Sequence, residues 1–210
     1  MSSMSSTSGM SADGWIEEMR QRLNRSWPER RMLNERDPEL PAPREAAVLV
    51  PLYVRDKQLF TLFTKRTESV EHHKGQVSFP GGGKEPRDAT LWHTATRETE
   101  EEIGVPATSV KLLGALPRII TVTNFEVSPF VGAMPYPVAF QAAEQEVEAI
   151  VEVPIAYLLN PTVVEEREVS WSGRPVVTKV YHYSGHAIWG ATAHILSDFL
   201  AVLGGAEPAG

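Results

Sequence analysis

The segment GGKEPRDATLWHTATRETEEEIGV, residues 82–105, constrains this chain more than any other. At about 100° per residue, Leu91, Trp92, Ala95, Thr99 and Ile103 form the core-facing stripe of a helix. Glu98, Glu101 and Glu102 fall in an adjoining arc of roughly a quarter turn, whereas Glu100 points the other way. Phe79-Pro80-Gly81-Gly82-Gly83 is a stiff, then permissive turn ahead of the helix. Gly104 stops the helix at a C′-type position, with apolar Val105 following. The fold must therefore pack one face of this helix on a core and leave its acid edge beside a glycine turn.

A Glu-rich run by itself is most often a solvated face with i,i+4 pairs such as Arg97 with Glu101. The flanking glycines and the adjoining apolar stripe argue for a site instead. Three carboxylates on one stripe repel, and each resists ionising unless a cation shares the site. Hard oxygen donors suit Mg²⁺ or Mn²⁺, which also bind phosphates.

Around the helix the texture is mostly that of strands. AAVLVPLYV from Ala46 and QLFTLFTKR read as two strands joined at Arg55-Asp56-Lys57, and 110–116, 125–134 and 147–153 read as further strands. A loop is expected over 135–144, a short helix entered through Pro154 over 154–159, and a hairpin of 163–170 with 176–183 around 172–174. Residues 191–203 have helical spacing. Strands with a few intercalated helices imply an α/β domain over 45–205. Ahead of it, residues 14–34 fit an amphipathic helix broken at Pro28, with Trp15, Ile16, Met19, Leu23 and Trp27 on its apolar side. Its apolar side suits packing on the main domain, with contact in a homodimer as its other use. Pro38, Pro41 and Pro43 make the rest of 14–44 a stiff linker, and the Ser- and Gly-rich residues 1–13 are expected to be a disordered tail.

A net charge of −7 argues against a nucleic-acid surface. No apolar run reaches the roughly 20 residues of a membrane span. The absence of cysteine excludes disulfides and thiolate chemistry. The first residues lack the basic and apolar regions of a signal peptide, so a cytoplasmic protein is expected.

The segment resembles the Nudix box, G-x5-E-x7-R-E-U-x-E-E-x-G-U, where U is aliphatic. Gly82, Arg97, Glu98, Glu101, Glu102, Gly104 and Val105 match. Asp88 stands where Glu is usual, eight residues separate it from Arg97, and Thr99 replaces an aliphatic residue. Asp with the longer spacer is similar to the coenzyme A diphosphatase branch. So is the segment before the box, in which Leu62, Thr64, Arg66, Gly75, Phe79, Pro80, Gly81 and Gly82 agree and Phe63, Thr67 and Glu71 do not. His186 to Ala193 resembles the same branch.

The resemblance implies an α/β/α sandwich with a mixed β-sheet and hydrolysis of a diphosphate bond. Glu98, Glu101 and Glu102 are then expected to hold Mg²⁺ or Mn²⁺, and Arg97 to orient Glu98 or Glu101. A further acid is expected from Glu144, Glu146 or Glu148; Glu146, at the entry of a strand, is the choice. Arg66, Lys74, Gly81 and Gly82 are the expected substrate contacts, with Arg66 and Lys74 as cations for the 3′-phosphate of coenzyme A. The alternatives are a Nudix hydrolase of other nucleoside diphosphate compounds or of nucleoside triphosphates, and a non-catalytic binding module. His72, His73 and His93 offer no better base; His93 lies about 140° from Glu98 on the helix.

Overall fold

The structure, a computed structural model, describes residues 12–24, 31–32, 41–67, 75–171 and 174–206. Chain order gives α1 (Ala12–Leu23), β1 (Arg31–Met32), β2 (Arg44–Arg55), β3 (Gln58–Arg66), β4 (Val77–Ser78), β5 (Gly81–Gly83) and α2 (Leu91–Ile103). There follow β6 (Lys111–Ala115), β7 (Ile119–Ile120), β8 (Phe125–Ala133), β9 (Val147–Pro154), α3 (Ile155–Leu158), β10 (Val164–Trp171), β11 (Arg174–Tyr183), β12 (His186–Ile188) and α4 (Gly190–Leu203). The sheet is mixed, as expected. Its path is β1-β7-β8-β2-β3-β4, with β5 on β2, β6 on β8 and β9 on β3. Strand pairs β1·β7 and β2·β8 are parallel, and the other pairs are antiparallel. A second, antiparallel sheet has the order β10-β11-β12.

Alternation along β2 and β3 divides the core into two layers, since successive strand side chains point to opposite faces. Ala46, Val50, Leu52 and Phe63 enter a layer shared with Trp15, Met19 and Leu23 of α1 and with Ile195, Leu196 and Phe199 of α4. Ala47, Leu49, Phe60 and Leu62 enter the other, under Ala95 and Ile103 of α2. The sheet is thus sandwiched between helices. The β2–β3 hairpin closes through Asp56 and Lys57, whose φ values of 49° and 62° match the strand twist in a type I′ turn.

The helix expected over 14–34 spans Ala12–Leu23 and packs on the domain, while residues 31–32 of the expected range form strand β1. Leu23 sits so close to Gly114 that a Cβ there would lie 2.5 Å from the leucine Cβ. Arg22 Nη1 donates to the carbonyl of Leu203 at the end of α4. The chain around Pro28, most of the proline linker and the turn at 172–173 lie outside the described residues. The short strands β1, β4, β5, β7 and β12 were not expected. Each has only two or three residues, too few to display a period.

Candidate active site

Helix α2 is fixed at both ends. Thr90 Oγ1 accepts the N–H of His93 at 3.1 Å, and the N–H of Gly104, at φ 73°, donates to the carbonyl of Glu100 at 2.9 Å. The turn before it is organised by Asp88, whose side chain is fully buried. Asp88 Oδ2 accepts from the Glu85 N–H at 2.9 Å and the Thr94 hydroxyl at 3.0 Å. Arg97 grips the same carboxylate with a fork, Nε to Oδ1 and Nη2 to Oδ2, both at 3.0 Å. These bonds from Arg97 hold the Asp88 pKa well below the usual carboxylate range, and the Asp88 bonds raise that of Arg97.

The rest of the Arg97 guanidinium reaches the acid edge. Nη2 donates to Gly83 O at 3.2 Å, and Nη1 lies 2.8 Å from Glu101 Oε2 and 2.9 Å from Glu98 Oε1. The arginine therefore contacts both carboxylates that it was expected to orient.

The three acids share a helix edge but not an environment. Glu102 is 5% exposed at its side chain, Glu98 is 17% exposed and Glu101 is 50% exposed. Burial is the main reason that Glu102 is pushed up to about 7; the Thr64 hydroxyl and Arg66 oppose the shift, and the charges of Glu98 and Glu146 reinforce it. Glu98 is raised for the same first reason, against the pull of Arg97. Glu101 turns outward to Arg87 Nη2 at 3.0 Å as well as to Arg97. Among the described residues, no three histidine or acidic side chains converge closely enough to hold an ion. Even so, Glu98 and Glu102 are two desolvated carboxylates on one helix edge, an oxygen-only donor set that fits a hard divalent cation.

The glycine turn lies against these acids. A Cβ on Gly82 would stand 2.6 Å from the Glu98 carboxyl carbon. A Cβ on Gly81 would stand 2.4 Å from the Ala47 carbonyl oxygen, because β5 runs tightly beside β2. From the other side, Thr64 Oγ1 donates to Glu102 Oε2 at 3.0 Å. Arg66 Nη1 lies 3.8 Å from Glu102 Oε1, and its Nη2 lies 4.0 Å from Glu146 Oε2. Its Nε is buried with no hydrogen-bond partner.

Of the three distal acids, Glu146 bears on Glu98 and Glu102. Glu148 pairs with Lys65 Nζ at 2.6 Å near the surface, and Glu144 is exposed. His93 is exposed, its Nδ1 accepting from Ala89 N at 3.4 Å. Lys74, with Glu71, His72 and His73, lies outside the described residues.

Two contacts escaped sequence reasoning: Asp88 as the buried anchor of Arg97, and Thr64 as a partner of Glu102. Strand alternation offered a signal for the second. Thr64 and Arg66 follow Phe60 and Leu62 on the face of β3 that looks toward α2.

Comparison with known proteins gives the family. The NUDIX domain family matches residues 43–171. A protein of Klebsiella pneumoniae named "Uncharacterized Nudix hydrolase NudL" is 37% identical over 186 residues, covering 89% of this chain and 92% of that one. Its namesake in Salmonella paratyphi B is 38% identical over 161 residues, covering 77% of this chain and 83% of that one. Among solved structures, the Nudix domain of Shewanella oneidensis NrtR, complexed with ADP ribose, is 22% identical with a TM-score of 0.47. It covers 59% of this chain and 81% of that one. With a family match across more than half its length, and relatives this similar over most of theirs, the chain belongs to the Nudix family and is a Nudix hydrolase.

Proposed function

We propose that this hydrolase cleaves the diphosphate bond of coenzyme A or its acyl derivatives, giving 4′-phosphopantetheine and adenosine 3′,5′-bisphosphate. Glu98 and Glu102, with Glu101 swung inward from Arg87, would hold Mg²⁺ or Mn²⁺. When bound, the cation neutralises phosphate charge and acidifies a water. Arg97 keeps Glu98 and Glu101 in register through its anchor on Asp88. Gly81 and Gly82, which let the turn lie directly against β2 and the Glu98 carboxyl, are the backbone positions we assign to the substrate phosphates. In the reaction the water oxygen bonds to one phosphorus as the bridging P–O bond breaks. Glu146 is the carboxylate to which we assign the water's proton, because its charge bears on both Glu98 and Glu102.

The observation that carries the reading is the meeting of Thr64 and Arg66 with Glu102. Both residues belong to the segment that resembles the coenzyme A diphosphatase branch, and Glu102 belongs to the box. Arg66 lies nearer the acids than a remote 3′-phosphate would require, which supports a contact with the diphosphate itself. Lys74 is then the cation left for the 3′-phosphate. Glu71, at a position where that branch carries arginine, favours a second reading: hydrolysis of another nucleoside diphosphate derivative.

The test offers coenzyme A, dephospho-coenzyme A, ADP-ribose, dinucleoside polyphosphates and nucleoside triphosphates in parallel with Mg²⁺ or Mn²⁺. Coenzyme A should have the highest kcat/KM. Preference for ADP-ribose or a triphosphate would replace the first reading by the second. Arg66→Ala should raise KM for coenzyme A and dephospho-coenzyme A alike, since both carry the diphosphate. A loss confined to coenzyme A would return Arg66 to the 3′-phosphate.

A further inference from the structure

Thr64 is completely buried on the α2-facing side of β3. Its hydroxyl has one proton and two acceptors near it: Glu102 Oε2 at 3.0 Å and the Ser78 carbonyl at 3.5 Å. The shorter contact ends on a carboxylate, so the proton belongs there. The other carboxylate oxygen, Oε1, lies 3.8 Å from Arg66 Nη1, beyond hydrogen-bonding distance. One oxygen of Glu102 is therefore tied and the other is not.

We propose that Thr64 is a positioning residue of the hydrolytic site. Its hydrogen bond holds the Glu102 carboxylate in one orientation and leaves Oε1 as the oxygen available to a divalent cation. The inference rests on the metal-binding reading of Glu102. A glutamate carboxylate hangs on three rotatable bonds, and a guanidinium beside it can draw it into a bidentate pair. Such a pair would occupy both oxygens. The Thr64 hydroxyl opposes this by fixing Oε2 from a strand whose backbone is locked between β4 and β9. Strand β3 carries a built-in comparison. Thr61 is equally buried, but its hydroxyl has no partner, and alternation turns it toward the opposite core layer.

The experiment measures Mn²⁺ affinity by calorimetric titration, without substrate, for wild type, Thr64→Val, Thr64→Ser, Thr61→Val and Glu102→Gln. Turnover is followed on whichever substrate the panel selects. Thr64→Val should weaken Mn²⁺ binding about tenfold or more and lower kcat with little change in KM. Thr64→Ser, which keeps the hydroxyl, should stay within about threefold of wild type. Thr61→Val should bind Mn²⁺ as wild type does. Should Thr64→Val fail to fold, Thr64→Ala removes the same hydroxyl with less crowding. Wild-type affinity in Thr64→Val beside weak binding in Glu102→Gln overturns the role of Thr64 alone. Equal losses in Thr64→Ser and Thr64→Val also overturn it, by assigning the effect to packing. Wild-type affinity in Glu102→Gln overturns the metal reading, and this inference with it.

Discussion

Replacing Glu102 by glutamine should separate stability from function. Burial raises the Glu102 pKa from 4.5 to about 7. The folded chain therefore binds more protons than the unfolded chain between those values, and metal-free stability falls as pH rises through that window. The shift corresponds to about 3 kcal/mol lost by pH 8 relative to pH 4 or below. Glutamine keeps the shape and cannot ionise. Its carbonyl can accept the Thr64 hydroxyl, but its amide then faces Arg66, a donor toward a donor, which offsets roughly 1 kcal/mol of the gain. A net gain of about 2 kcal/mol would raise Tm by about 4–8 °C. Thermal unfolding in EDTA at pH 5 and pH 8 tests this: the Tm advantage of Glu102→Gln should be small at pH 5 and full at pH 8. Added Mg²⁺ should stabilise wild type but not the variant, because a ligand that binds only the folded state adds stability by mass action. Turnover of the variant should fall by orders of magnitude. An advantage independent of pH would refute the reasoning, since Glu102 would then not titrate in that window.

The glycine turn makes a paired prediction. Gly82→Ala directs its new methyl at the far end of the flexible Glu98 side chain. The protein should melt within about 2 °C of wild type yet lose roughly 10- to 100-fold in kcat, which reflects displacement of a carboxylate. Gly81→Ala directs the methyl at the backbone of Ala47 and Val48 instead. Loss of soluble, cooperatively melting protein is expected, and a wild-type Tm would contradict the close packing of β5 on β2. Asp88→Asn strands the Arg97 guanidinium without its buried anion and should destabilise the fold by about 3 kcal/mol. A denaturant titration measures that loss, with a change below about 1 kcal/mol arguing that Arg97 finds compensation in Glu98 and Glu101.

The elements with a clear period were legible in the sequence. The stripe of Ala95, Thr99 and Ile103 is buried, Gly104 ends α2 in the left-handed conformation, and the long strands β2, β3 and β8 lie on the apolar runs that mark them, buried on both faces. What remained hidden depends on distance along the chain. Whether a carboxylate on the α2 edge is buried or exposed is decided by what lies opposite it. Opposite Glu102 stand Thr64 and Arg66, and opposite Glu101 stands Arg87. Helical spacing treats the three acids as equivalent, and only the packing of β3 against α2 makes Glu102 the buried one. Asp88 was visible as a departure from a pattern. Its burial and its fork with Arg97 depend on the path of the turn over residues 84–90, which no local pattern displays.

The link between Glu102 and Glu146 is built into the backbone as well as the side chains. The loop that carries Glu146 docks on the last turn of α2, where helix carbonyls have no partner of their own. Gln141 N–H donates to Ile103 O at 2.9 Å, and Ala143 N–H donates to Glu102 O at 3.0 Å. At its far end the loop is held to β3, with Thr67 N–H donating to Glu146 O at 2.9 Å and Thr67 Oγ1 to Gln145 O at 3.2 Å. The backbone of Glu146 is thus suspended between the last turn of α2 and the strand that supplies Thr64 and Arg66. The carbonyls that a helix end must satisfy anyway serve here to set the position of an acid some forty residues downstream. A distal acid held this way keeps its place relative to Glu102 even if the exposed part of the loop varies. That is why position, rather than local sequence, separates Glu146 from Glu144 and Glu148.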